Sequence, residues 1–448
     1  LLIFHLAFLA RNRRYRLVDH NIIEFPARPA VCYCGLSSKV KGIMREMLTA
    51  WLAAAWAMIA VVSTGCGSTG GKKTIELDCF DVCVSGEKPD EECFRSKRDP
   101  SSEWVALATE IAARYVDVHP IEEAYWDWED GVLMFALTEL HRVTGEGWLQ
   151  DYYRSWMDQQ IAEGYSIHLS DRCPPALTAL ALYRETGDER YRAVVEETLT
   201  YLYEEALRTE HGGISHMGTL DIFGATLWVD SLFMFGMVLN RWGELAEDEV
   251  ALDEMGFQIG VFKELLQKPS GLMLHAYHWP EEQDEDVFWT RGNGWVTAAA
   301  HDYLRVRRMR RQRDRSAEDL MERQVSALLS LQDPASGMWW TVTNRPGETY
   351  LETSGTALIV YGLARGYRYG FRGEEVLSAI DLAMAGLREK IVYDRNDRPF
   401  VTDISGPTTV GDYDHYASIP LEDDLSFGVG AVILALIEVS GLPLPTAE

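Results

Sequence analysis

The chain has 448 residues, 47% of them hydrophobic, enough to bury one large core or two ordinary ones. Its formal net charge of -27 excludes a nucleic-acid partner and any general attraction to anionic membranes, and an acidic ligand needs a locally basic pocket. The 14 tryptophans suit a carbohydrate-handling surface without establishing one.

In chain order, residues 1–43 read as lying upstream of the true start, so Cys32 and Cys34 carry no functional reading. Lys39, Lys41 and Arg45 precede an apolar run from Met47 to Val62, then Ser63-Thr64-Gly65-Cys66. A basic start, a short apolar stretch and small residues before a cut make residues 44–66 a secretory signal. The Gly65-Cys66 junction resembles that of a bacterial lipoprotein, which implies a lipid on Cys66 and an exported protein held at the membrane by that anchor alone. Ser63 stands where that pattern usually has Leu or Val, and an uncleaved anchor is the alternative, although the run is short for a spanning helix. Residues 67–102 read as a polar tether. Cys79, Cys83 and Cys93 then sit in an oxidising compartment, where two of them can pair, and no histidine lies near enough to complete a zinc set. Cys173 reads as a buried thiol.

From Glu103 to about 445 the apolar spacing is helical. Trp104-Val105-Ala108-Ile111-Ala112-Tyr115, Val132-Leu133-Phe135-Ala136-Leu140 and Leu177-Leu180-Ala181-Tyr183 recur at three to four residues, as do Leu232-Phe235-Val238-Leu239, Val325-Leu328-Leu329-Leu331, Ala357-Val360-Tyr361-Leu363 and Val429-Val432-Leu436. No Val/Ile-rich alternation argues for a sheet. The basic run Arg305 to Arg315 reads as the solvated end of a helix and its turn.

Polar clusters precede six of these helices: Trp126-Asp127-Trp128, Ser170-Asp171, Trp228-Val229-Asp230, Arg291-Gly292-Asn293, Glu352-Thr353-Ser354 and Asp423-Asp424. They lie roughly 40 to 70 residues apart, the length of a helical hairpin. Six hairpins with small residues on the inner helices predict an all-α, closed ring, an (α/α)6 barrel in a single domain. The six polar N-termini would converge on one pocket at one end.

The segment Trp289-Thr290-Arg291-Gly292-Asn293-Gly294-Trp295 places a permanent cation between two flat rings on a backbone loosened by glycines. Arginine matches a carboxylate, tryptophan faces suit sugar rings, and glycines let free N–H groups face a ligand, so an acidic sugar fits all three. The alternative is a glycine turn with two core tryptophans and a surface arginine.

Several elements together resemble the unsaturated glycuronyl hydrolases, specifically the unsaturated rhamnogalacturonyl hydrolases of glycoside hydrolase family 105, related to family 88. They are Trp126-x-Trp128-x-x-Gly131-Val132, Asp171 with Pro175 and Leu182-Tyr183-x-x-Thr186-Gly187-Asp188, and Leu227-Trp228-Val229-Asp230-Ser231-Leu232-Phe233-Met234. Trp289-x-Arg291-Gly-Asn-Gly-Trp295, Glu352-x-Ser354-Gly355-Thr356-Ala357 and Gly428-x-Gly430-Ala431 complete the series, from about Glu103 to Ser440. The resemblance implies the same barrel and an enzyme acting on oligosaccharides left by polysaccharide lyases, whose terminal uronic acid carries a C4=C5 double bond. An acid protonates C4, water adds at C5, and the resulting hemiketal rearranges to release the next sugar, with no metal or organic cofactor.

By the same resemblance Asp230 is the principal acid/base and Asp171 the second carboxylate. His275, Trp289, Arg291, Trp295 and Trp128 are substrate-binding, with Arg291 the anchor for the conjugated carboxylate. Burial beside Trp228 is expected to raise the Asp230 pKa. The bland reading of Asp230 is a helix N-cap or first-turn aspartate, and that of Asp171 an N-cap. His216, in Gly213-Ile214-Ser215-His216, fits a family histidine, but Met217 to Thr226 looks altered, which leaves that match and the sugar preference open. A conventional two-carboxylate glycosidase and a non-catalytic glycan-binding lipoprotein are the competing functions.

Overall fold

Helix follows helix because start and stop signals are written into the chain. Ser102, Asp127, Asp188, Asp248, Asp314 and Glu352 each accept a hydrogen bond from a backbone N–H in the first turn of the helix that follows. Gly145 and Gly187 close two helices in the left-handed region at φ 72° and 69°, where a side chain would be strained. The computed structural model describes residues 95–445 except 223, 281 and 282. Cys66, Cys79, Cys83, Cys93 and the signal segment fall outside the described residues.

The helices are α1 (Glu103–Val118), α2 (Trp128–Thr144), α3 (Gly147–Glu163), α4 (Pro175–Thr186), α5 (Glu189–Thr200), α6 (Ser231–Met234), α7 (Gly236–Leu245) and α8 (Glu249–Leu266). After them come α9 (Thr290–Met309), α10 (Arg315–Leu331), α11 (Thr353–Arg368), α12 (Leu377–Glu389), α13 (Tyr413–Ser418) and α14 (Ser426–Val439). Five hairpins pair an inner with an outer helix: α2 with α3, α4 with α5, α7 with α8, α9 with α10, and α11 with α12. The sixth joins the two ends of the domain, since the last inner helix, α14, packs on the first outer one, α1. Inner helices touch in sequence, α2 to α4, α7, α9, α11, α14 and back to α2, which closes the expected ring.

Inner helices are buried nearly all round, as helices with neighbours on every side are, and the charged side chains they bury are paired. Every residue of α14 is buried. Small residues let the axes approach: a Cβ on Gly362 would lie 2.6 Å from the Thr297 backbone, and one on Gly430 2.9 Å from Leu133 Cα. Among the described residues, strands are confined to three two-stranded ladders, β1 (Leu227–Trp228) with β2 (Ala276–Tyr277), β3 (Ile391–Tyr393) with β4 (Pro399–Val401), and β5 (Ile404–Ser405) with β6 (Leu421–Glu422). No helix among the described residues is long and apolar enough to cross a membrane.

Two expectations are corrected at the barrel end where the inner helices finish. Residues 95–102 are packed structure rather than tether. Arg95 donates its N–H to Arg368 O, and Arg98 reaches Glu438 at 2.5 Å and Glu139 at 3.3 Å. Those two glutamates are buried inside the ring and need cations, and the segment preceding α1 supplies one. The basic run is not a solvated face either. Arg305 and Arg307 are buried, the first paired with Glu244 at 2.6 Å and Asp302 at 3.1 Å, the second with Asp253 at 2.5 Å and Glu249 at 3.0 Å. Only the later part, Arg311, Arg313 and Arg315, is exposed.

Candidate active site

At the opposite end the six polar clusters do lie at the starts of the inner helices. The β1–β2 ladder sets the central geometry. Trp228 pairs with Ala276, and Val229 N–H donates to His275 O at 2.8 Å. Asp230, one residue beyond that contact, therefore faces His275, with Oδ2 3.2 Å from the ring Nε2. Neither aspartate caps a helix: Asp230 has helical backbone angles and no capping hydrogen bond, and the cap of α4 is Pro174. The capping reading fails for both, although Asp230 does stand at the start of α6 and Asp171 in the first turn of its 3-10 helix.

Asp171 sits on a 3-10 turn, Ser170–Arg172, with about a quarter of its side chain open at 26%. His216 Nε2 stands 3.6 Å from its Oδ2, while the same ring's Nδ1 lies 3.0 Å from Ser231 Oγ. Ser231 in turn donates to Ser170 Oγ at 3.2 Å. His216 is thus a bridge between the two aspartate-bearing elements, stacked face to face on Trp228 at 4.3 Å and 6°. Trp289 stacks on the His275 ring at 4.5 Å.

The electrostatics separate the carboxylates. Burial, then the charges of Asp127 and Asp230, push Asp171 well above the usual carboxylate range. Burial also pushes Asp230 upward, but the neighbouring His275, with His216 next, outweighs it and holds Asp230 low. That corrects the expectation of a raised Asp230. Burial takes His216 down to about 4 against the pull of Asp230, so its ring is neutral near pH 7.

Arg291 is the second correction. Its guanidinium is fully buried and committed to the protein, donating to Ser405 O and Gly406 O at 2.7 Å each, Thr408 Oγ1 at 3.0 Å and Ser354 Oγ at 3.3 Å. It sits 3.8 Å from the equally buried Glu352 and lies over the rings of Trp289 and Phe427. No face is left for a substrate carboxylate; Arg291 fastens the 404–408 segment to the barrel. The motif glycines likewise serve packing rather than ligand access. A Cβ on Gly292 would meet Val229, and one on Gly294 would meet Leu358 and Gly355.

Trp295 is wholly buried against Phe233 and the edge of Trp128, so it supports the pocket without lining it. Trp289 is 2% exposed and holds His275 rather than offering a free face. Trp128, half-buried and packed on Phe427, keeps open surface. Cys173 is a free, buried thiol as expected. Among the described residues no group of three or more potential ligands could hold a metal ion.

Sequence reasoning missed the contribution of residues 404–422. That flap, closed by the β5–β6 ladder, brings Val410 against Trp228, anchors Tyr413 N–H on Asp284 and places Tyr416 Oη 2.9 Å from His275 Nδ1. Its only outward signal is the aromatic run Tyr413-Asp414-His415-Tyr416, which has no helical or strand period long enough to be read.

A family model described as Glycosyl Hydrolase Family 88 matches residues 105–442. The unsaturated rhamnogalacturonyl hydrolase YesR of Bacillus subtilis (strain 168) is 25% identical over 319 residues, 70% of this chain and 89% of the relative. An unsaturated 3S-rhamnoglycuronyl hydrolase of Formosa agariphila is 27% identical over 283 residues, 58% of this chain and 72% of that protein. A crystal structure from Salmonella enterica serovar Paratyphi A, described as a possible member of the GH105 family, superposes with a TM-score of 0.67 at 24% identity, covering 76% of this chain and 96% of that one.

Proposed function

The chain belongs to glycosyl hydrolase family 88, and on that footing we propose that it removes a terminal 4,5-unsaturated uronic acid from the products of polysaccharide lyases. It is a glycoside hydrolase. The observation that carries the finer reading is the pair of carboxylates driven to opposite protonation at one pocket. Burial and its anionic neighbours favour the protonated form of Asp171, whereas His275 and His216 favour the ionised form of Asp230. Hydration of a C4=C5 bond needs both at once, a proton for C4 and a base that takes one from the water adding at C5. Asp171 fills the first role and Asp230 the second, an exchange of the parts expected from the sequence. The hemiketal formed at C5 then opens and releases the next sugar.

With Arg291 committed to the flap, the positive charge felt by Asp171 comes from Arg172, whose side chain is 32% open. Arg172 is proposed as the partner of the substrate carboxylate, and Trp128 as the ring against which the sugar rests. The Bacillus subtilis relative is named an unsaturated rhamnogalacturonyl hydrolase, which supports a rhamnogalacturonan-derived substrate, and with it a proposed place in pectin breakdown. The signal and Cys66 pattern in residues 44–66 supports an exported lipoprotein.

The direct experiment incubates the protein with unsaturated rhamnogalacturonan disaccharides and follows the near-ultraviolet absorbance of the conjugated acid. Decay of that band, with no action on saturated analogues, is expected. An unchanged band across a panel of unsaturated uronides, with the protein folded, would refute the reading.

A further inference from the structure

Tyr416 lies outside the barrel helices, on α13 within the 404–422 flap, and is 1% exposed. Its ring runs parallel to the Trp289 indole, which in turn stacks on His275. The imidazole is therefore held on every side. Trp289 covers one face, Trp228 meets it edge-on at 5.3 Å, Tyr416 Oη sits at Nδ1 and Asp230 Oδ2 at Nε2.

Counting hydrogens fixes the direction of this chain. The Gly411 backbone N–H can only donate, and it donates to Tyr416 Oη at 3.2 Å. The tyrosine keeps its single O–H to offer to His275 Nδ1 at 2.9 Å. In the neutral ring Nδ1 takes it as acceptor, because the Asp230 carboxylate 3.2 Å from Nε2 can only accept and draws the ring's one proton to that side. A ring nitrogen that accepts carries no proton, so the neutral imidazole carries its proton on Nε2, facing the Asp230 carboxylate.

We propose that Tyr416 is a positioning residue for the hydration reaction. It fixes the Nε2–H tautomer of His275 through the run Gly411 N–H to Tyr416 Oη–H to His275, and so keeps a donor rather than a lone pair aimed at Asp230. Without the hydroxyl nothing donates to Nδ1, and the Asp230 carboxylate at Nε2 is left alone to oppose a shift of the proton to Nδ1. The catalytic consequence rests on the assignment of Asp230 to the reaction; the tautomer does not.

The test uses the full chain with nitrogen-15-labelled histidine and long-range proton–nitrogen correlation spectra, the His275 signals being identified by their loss in His275→Gln. The wild-type spectrum is expected to show an unprotonated Nδ1 and a protonated Nε2, and Tyr416→Phe to populate the other tautomer. In turnover of an unsaturated disaccharide, Tyr416→Phe should lower kcat on the order of tenfold, the factor one ordinary hydrogen bond carries, with KM unchanged. Glutamine at 275 offers an amide N–H that has no tautomer, so adding Tyr416→Phe to His275→Gln should cost nothing more. A wild-type Nδ1–H tautomer, a Tyr416→Phe spectrum identical to wild type, or an equal loss from Tyr416→Phe in both backgrounds overturns the proposal. If no unsaturated uronide is turned over, the functional reading fails while the spectra alone decide the tautomer.

Discussion

The negative charge of Asp230 raises the proton affinity of Asp171, while Asp230 itself is held ionised by His275 at 3.2 Å. This asymmetry predicts a bell-shaped pH dependence of kcat/KM. The active form has Asp171 protonated and Asp230 ionised. Activity is therefore lost as pH rises through the raised Asp171 pKa, and lost as pH falls through the depressed Asp230 pKa, below the ordinary carboxylate value near 3.9. Because the two groups interact, the limbs belong to the pair. A profile that falls on the acid side at an ordinary or raised carboxylate pKa would contradict the arrangement.

Asp171→Asn should abolish turnover yet stabilise the fold. The loss of rate is expected to be at least on the order of 100-fold, the lower range for a positioned proton donor. For stability the sign runs the other way from a salt-bridged carboxylate. A folded-state pKa above the unfolded value means that Asp171 favours the fold only where it is protonated, and that this benefit disappears as pH rises through the folded pKa. At pH 8 the aspartate is a burden that asparagine removes, whereas near pH 4 the two proteins should melt together. Thermal unfolding at both pH values checks this, and a lower melting temperature of the variant at pH 8 would show a structural anchor instead.

Arg291 and Arg172 should respond to substitution in opposite ways. Arg291→Met leaves Glu352 buried without its cation and releases the carbonyls of Ser405 and Gly406, a cost of about 3–5 kcal/mol. Its signature is a lower melting temperature and faster proteolysis of the 404–422 flap. Arg172 donates to Trp126 O and stands 3.7 Å from Asp127 but keeps part of its side chain open. Arg172→Gln should therefore cost less stability than Arg291→Met while raising KM roughly tenfold or more, the worth of a charge-assisted hydrogen bond. A stable Arg291→Met protein with a raised KM would return the anchor role to Arg291.

The parts of this molecule that could be read in advance are those with a period. Six polar clusters at hairpin spacing placed the pocket at the N-terminal ends of the inner helices, and the helices begin where Asp127, Asp188, Asp248 and Asp314 cap them. Asp171, Asp230, His216 and His275 meet there because each sits at an element boundary. The role of Arg291 was misread because a Trp-Arg-Gly pattern looks the same whether its cation faces a ligand or a buried glutamate. What decides is Glu352 with Ser405, Gly406 and Thr408, one at 61 and the others at more than 110 positions away in sequence. The flap was invisible for a related reason: two-residue strands and a six-residue helix carry no pattern of their own. Arg98 was lost to the tether because its partners, Glu139 and Glu438, come from the first and the last inner helices, about 40 and 340 positions further along the chain.

A pair of glycine substitutions tests the packing that closes the ring. In an exposed helix, alanine is favoured over glycine by about 1 kcal/mol through backbone entropy. Gly260, on the outer helix α8, has nothing within 4 Å of an added Cβ, so Gly260→Ala should raise the melting temperature. Gly362 lies on the inner helix α11, where the same methyl would meet Thr297 Cγ2 at 2.5 Å and the Thr297 carbonyl carbon and oxygen at 2.6 Å. Two of those atoms are backbone of α9 and can yield only if the helices separate. Overpacking of this kind costs about 1–3 kcal/mol or more, which exceeds the propensity gain, so Gly362→Ala should be net destabilising. Because α9 also carries Thr290, Arg291 and Trp295, a displacement of that helix reaches the pocket wall, and Gly362→Ala should lower kcat/KM as well as stability while Gly260→Ala leaves kcat/KM unchanged. Equal stabilisation by both alanines would show that the two inner helices are not in the close contact that the barrel requires.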